Sequence, residues 1–155
     1  MSSSETAMIK KILSEIINST AGLKHVIIID ETGITIASQS KFNIADEGVS
    51  VEKIGAIGGA VFSAGEEQGE ILGFGPINLQ ITEYDKGLLL SVKIGRGILC
   101  ISADLNVQIG YVRALVKKYK ATFSSLLEKY LKTDQEGVNK ELKELFQSDT
   151  SFDFS

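Results

Sequence analysis

The chain has one cysteine (Cys100), one histidine (His25), one proline and no tryptophan. A single thiol excludes a disulfide scaffold. One His with one Cys excludes zinc fingers and His/Cys metal cages, and leaves no set from which a nucleophile, its base and an orienting group can be assembled. Long apolar runs are missing too: the longest near-continuous one, residues 26–29, is far short of the roughly 20 residues a membrane-spanning helix needs. Met1-Ser2-Ser3-Ser4 lacks the basic and apolar regions of a signal peptide, so the expectation is a cytoplasmic protein that does not insert into membranes. Positive charge is in deficit. Sixteen Lys plus Arg face 20 Asp plus Glu, a net charge of −4, which argues against nucleic acid or an anionic membrane as the main partner.

What is present fits one compact domain: 155 residues, 43% hydrophobic and 23% charged. Ile9, Ile12, Leu13, Ile16 and Ile17 recur at spacings of three and four, which predicts a helix over residues 5–20 with one buried face. The β-branched run of residues 24–30 is apolar on both faces, as suits a central strand, and Glu31-Thr32-Gly33 turns it into a second strand over 34–38. Ser50 is a candidate N-cap for a helix over 51–68, with Lys53 where a complete capping box would have Glu. Residues 77–84, 88–94 and 98–103 then read as an antiparallel meander. A long helix over about 107–131, capped by Asp104 or Asn106, carries Ile109, Val112, Leu115, Val116, Tyr119, Phe123, Leu126, Leu127 and Tyr130 on its buried side. Residues 1–132 are thus the expected domain. Residues 133–155 are an expected appendage, a short amphipathic helix with Val138, Leu142, Leu145 and Phe146 followed by an acidic tail holding Phe152 and Phe154.

Most motifs have plain structural readings. Gly73-Phe74-Gly75 opens like a nucleotide loop, but Pro76 and a strand follow it where a phosphate cradle needs a helix N-terminus. Gly95-Arg96-Gly97 lies between two strands and meets the same objection. Glu66, Glu67 and Glu70 read as a solvated helix end, His25 as a strand residue, and Cys100 as an inert buried thiol. Arg113, Lys117, Lys118 and Lys120 give the last helix a basic side, which is either solvated or faces an acidic partner. No metal ligand set or cofactor-binding motif emerges.

Two features do not fit a closed monomer. The second helix places Val51, Ile54, Val61 and Phe62 on its expected core stripe and Ala56, Gly59, Ala60 and Ser63 on the opposite face, where a solvated helix would carry Lys and Glu. Its internal glycines each cost about 0.5–1 kcal/mol relative to Ala, so something outside the helix must compensate. The strand Ile77, Asn78, Leu79, Gln80, Ile81, Thr82 has neither Pro nor internal Lys, the usual guards of a sheet edge. A two-fold dimer, helix to helix and strand to strand, resolves both; the alternative is that residues 134–147 of the same chain cover one of these surfaces. With the dimer, Gly59→Glu would be expected to give monomers.

The order helix, strand, strand, helix, three strands, helix resembles that of the roadblock (dynein light chain type) family. Asp30-Glu31-Thr32-Gly33-Ile34-Thr35-Ile36-Ala37-Ser38 is similar to that family's first hairpin. Ala103-Asp104-Leu105 and the Gly110-Tyr111-Val112-Arg113 that follows are similar to its Ala-Asp corner with Gly-x-x-Arg early in the last helix. The resemblance covers about residues 5–130. It implies an α+β fold, a five-stranded antiparallel sheet of order 2-1-5-4-3 with helices on both faces, also close to profilins. It implies as well a non-catalytic homodimer that joins its third strands and serves as a platform for a Ras-like small GTPase. Glu52 and Arg96 are the expected partner contacts beyond the dimer residues. A profilin- or PAS-like ligand sensor is the alternative.

Overall fold

The computed structural model describes residues 3–41 and 50–148. The polar stretch after Lys41 and the acidic tail with Phe152 and Phe154 lie outside the described residues.

Helix α1 (Ser3–Ile17) leads into strands β1 (Leu23–Asp30) and β2 (Thr35–Ser40), helix α2 (Val51–Leu72), strands β3 (Gln80–Tyr84), β4 (Gly87–Ile94) and β5 (Gly97–Ala103), and helix α3 (Ile109–Ser148). The sheet has the order β2-β1-β5-β4-β3, and each neighbouring pair is antiparallel. The fold is α+β, as the sequence implies.

Alternation across the pleat divides the core in two. On one side Val26 and Ile28 of β1, Leu90 and Val92 of β4 and Leu99 and Ile101 of β5 pack against the isoleucine stripe of α1 and against Val112, Phe123 and Leu127 of α3. On the other, Ile27, Ile29, Ile98 and Cys100 meet Val51 and Phe62 of α2. β1 and β5 are covered on both faces because they occupy the middle of the sheet, which is why they read as unbroken apolar runs. A hydrogen bond from the Tyr119 hydroxyl to Glu15 Oε2, 2.9 Å long, ties α3 to α1.

The β1–β2 turn is built on Asp30. Its Oδ1 accepts from the Thr32 amide (2.8 Å), the Thr32 hydroxyl (2.6 Å) and the Ile34 amide (3.0 Å), and Gly33 supplies the positive φ of 90° that closes the turn. Asp30→Ala frees these donors to water, because the turn is exposed, and is expected to cost about 1–2 kcal/mol, measured as a lower urea midpoint at unchanged slope.

α1 ends at Ile17, α2 continues to Leu72, and α3 begins at Ile109, beyond both expected caps Asp104 and Asn106. Two further differences concern what the elements are. β3 begins at Gln80 instead of Ile77, because the Ile77 amide bonds to Glu66 Oε2 (3.1 Å) and leaves no strand partner there. The helix expected around Val138, Leu142, Leu145 and Phe146 is not separate: α3 runs unbroken to Ser148, with these four side chains exposed.

Candidate functional site

The form of α2 decides what the surface offers. Ser50 caps it by accepting from the Lys53 amide at 3.3 Å. Its buried stripe is Val51, Gly55, Gly58, Gly59 and Phe62. The glycines let the helix axis come down onto the sheet. A Cβ on Gly59 would lie 3.0 Å from the Gly33 Cα, and one on Gly55 would lie 2.8 Å from Thr35 Oγ1 and 2.9 Å from Ile29 Cγ2. Close packing on β1 and its turn is the compensation that the glycine content demands.

This rotation of the helix corrects two expectations. Gly59 is buried under the helix, so it is no part of the outer face, and Val61, expected in the core, is 49% exposed. The outer face carries Ala56, Ala60 and Ser63 as expected, with Ala64 and Ile57, the latter 64% exposed, beside them. The glycine spacing of three and four, continued by Phe62, was the signal in the sequence that would have placed Ile57 and Val61 outward.

The helix ends in a glycine C-cap. Gly73 has φ 71°, its amide bonds to Glu70 O, and the Phe74 amide bonds to Gly69 O. The would-be nucleotide loop Gly73-Phe74-Gly75 is this cap. Around it Ile71 (83% exposed), Leu72 and Phe74 (79% exposed) extend the apolar surface. Of the three carboxylates near this end, Glu66 holds the returning chain through the Ile77 amide, while Glu67 and Glu70 are exposed.

α2 and β3 adjoin. A Cβ on Gly65 would meet Gln80 Nε2 at 2.6 Å and Ile77 Cδ1 at 2.9 Å, so the helix lies over the entry to β3. β3 is the edge of the sheet, and Ile81, Thr82, Glu83 and Tyr84 are exposed along it. Asn78 and Leu79 precede the strand: Asn78 is exposed, and Leu79 is partly buried against the larger core cluster.

The two expected partner contacts sit on different elements. Glu52 is exposed in the first turn of α2. Arg96, on the β4–β5 turn, has Nε 3.6 Å from Glu31 Oε1 and lines a groove of about 720 Å³ with Glu66, Glu67 and Glu70. His25 is buried, with Nδ1 2.7 Å from Ser40 Oγ. Cys100 is buried beneath Gly58. Burial pushes its thiol up, and the hydrogen bond donated by Ser91 opposes this more weakly. Less thiolate and no access mean slow alkylation: at pH 8 iodoacetamide is expected to leave the folded protein largely unmodified and to label it fully in urea, as read by mass spectrometry.

No family model matches the sequence. The uncharacterized protein MJ0310 of Methanocaldococcus jannaschii is 33% identical over 120 residues, which spans 75% of this chain and 100% of that protein. The chain belongs to the same family as that archaeal protein. Among solved structures, Myxococcus xanthus MglB superposes with a TM-score of 0.71 at 20% identity, over 83% of this chain and 94% of that one. A Roadblock/LC7 domain from Streptomyces avermitilis gives 0.63 at 15% identity, over 78% and 95%. Acanthamoeba castellanii profilin II gives 0.52 at 17% identity, over 74% and 95%. The chain has a roadblock-family fold.

Proposed function

We propose that this protein is a non-catalytic homodimeric platform that binds a Ras-like small GTPase and regulates or scaffolds it in the cytoplasm. The observation that carries the reading is the continuous outer face of α2, Ala56, Ile57, Ala60, Val61 and Ser63, set beside an unguarded edge strand. Apolar side chains as exposed as Ile57 and Ile71 are what a partner surface supplies with contacts. Small residues between them allow a second helix to approach closely, and β3 has free backbone donors and acceptors for a second β3. The roadblock-family fold supports the reading, and a solved MglB structure described as having a tetrameric arrangement shows this fold in an assembly.

In this reading two chains pair through β3 (Gln80, Ile81 and Thr82, with Ile77, Asn78 and Leu79 leading in) and through α2. The paired α2 helices form the docking surface, flanked by Glu52 and Arg96. The platform acts by positioning the GTPase's own switch residues. No helix among the described residues is long and apolar enough to cross a membrane.

Single cysteines placed in turn at Ile81, Thr82, Glu83 and Tyr84 test the strand pairing. Cys100 is buried and stays silent. Mild oxidation is expected to link two chains at the one or two positions nearest the two-fold axis. Absence of linked dimer at all four would refute β3 pairing.

A further inference from the structure

The basic side of α3 borders a groove of about 640 Å³ between α3 and the segment that leads into β3. Its floor includes Val92, Val112 and Val116, and its rim carries Lys93, Arg113, Lys117 and Lys120 with no carboxylate. On α3 the three cations are spaced by four and three residues and so follow one face. All four are exposed, and none of them forms an ion pair among the described residues. Four unpaired cations over an apolar floor are unexpected in a chain of net charge −4. They fit an anionic segment that also carries apolar side chains.

The chain contains such a segment after Ser148: Asp149-Thr150-Ser151-Phe152-Asp153-Phe154-Ser155. It cannot reach the groove of its own copy. At 1.5 Å per residue, α3 places Ser148 about 40 Å beyond Lys120, and the residues after Ser148 span at most about 25 Å fully extended. We propose that the groove receives residues 149–155 of a second copy, so that two chains exchange their acidic aromatic tails. Phe152 and Phe154, two apart, share one side of an extended segment and cover the valine floor, while Asp149 and Asp153 meet the rim cations. The groove borders the proposed β3 surface at Ile77, Asn78 and Leu79, and the adducts that test it form whether or not α2 and β3 pair.

The test uses two full-length preparations, one unlabelled with p-benzoylphenylalanine in place of Phe154 and one labelled with ¹⁵N, unfolded together in urea, refolded and irradiated. Adducts that join a light tail peptide to a heavy peptide from residues 112–120 are expected. The acceptor Lys117→Glu/Lys120→Glu is expected to lower their yield at least tenfold, and Asp153→Lys in the tail is expected to restore yield to the Lys117→Glu acceptor. Both lysines are exposed, and circular dichroism checks that the acceptors fold. Adducts confined to one chain, adducts mapping elsewhere such as α2, or a yield indifferent to the charge reversal would overturn the proposal. So would an absence of adducts accompanied by binding to phosphatidylserine vesicles that Lys117→Glu/Lys120→Glu abolishes, which would assign the groove to a lipid surface.

Discussion

Ala60→Glu is expected to convert a particle of about twice 16.7 kDa into monomers. Ala60 is exposed in the middle of the outer face of α2, and Glu is a good helix former, so the single chain tolerates the change: its own fold should shift by no more than about 0.5 kcal/mol. The interface does not tolerate it. Two-fold symmetry introduces the carboxylate from both copies at once, each desolvated, at a cost of several kcal/mol. That weakens the dimer by at least 100-fold. Sedimentation velocity across micromolar concentrations reads the change directly, with circular dichroism as the control for folding. A dimer of unchanged strength would remove α2 from the interface.

Gly59→Val acts one residue earlier in the sequence and through the opposite face. The new Cβ would lie 3.0 Å from the Gly33 Cα, and Gly33 is turn backbone at φ 90°, with no flexible end to move aside. The gain in helix propensity, about 0.4 kcal/mol, is outweighed by overpacking of about 2–3 kcal/mol. For a chain of this size Tm should fall by roughly 4–10 °C. Gly58→Ala is the contrast. Its Cβ would sit 3.4 Å from Cys100 Sγ, a far end of a side chain, so the better helix propensity should leave stability unchanged or raise it by up to about 1 kcal/mol. Equal effects from the two substitutions would contradict the close approach of α2 to the β1–β2 turn.

These neighbours also show where sequence reasoning failed. Hydrophobic periodicity weighs side chains, and glycine contributes none, so the buried stripe of α2 was drawn through Val61 when the helix in fact turns Gly55, Gly58 and Gly59 toward the sheet. For the same reason Gly59→Glu, expected from sequence to separate a dimer, would instead disrupt the core. The strand order is what the roadblock resemblance implies; the residues by themselves show only that β1 and β5, apolar on both faces, are central and that β3 is an edge. The start of β3 was not, since the alternation of Ile77, Asn78 and Leu79 gives no hint that Glu66, eleven residues earlier, takes the Ile77 amide. The change of composition after Lys132 points to a separate appendage, yet no Pro interrupts α3 and Lys, Glu and Leu sustain it. The exposed face of α2 was recognised in outline through Ala56, Ala60 and Ser63. Ile57, Ile71, Leu72 and Phe74 complete it, and their exposure is visible only once the helix is seated.

The most direct measurement of the central claim is the solution mass of the purified chain, alone and mixed with a Ras-like small GTPase from the same organism loaded with GDP or a GTP analogue. The account predicts a dimer of about twice 16.7 kDa by itself and a heavier complex with the GTPase, favoured in one nucleotide state. A chain that stays monomeric at micromolar concentration and adds no mass with either nucleotide would contradict it.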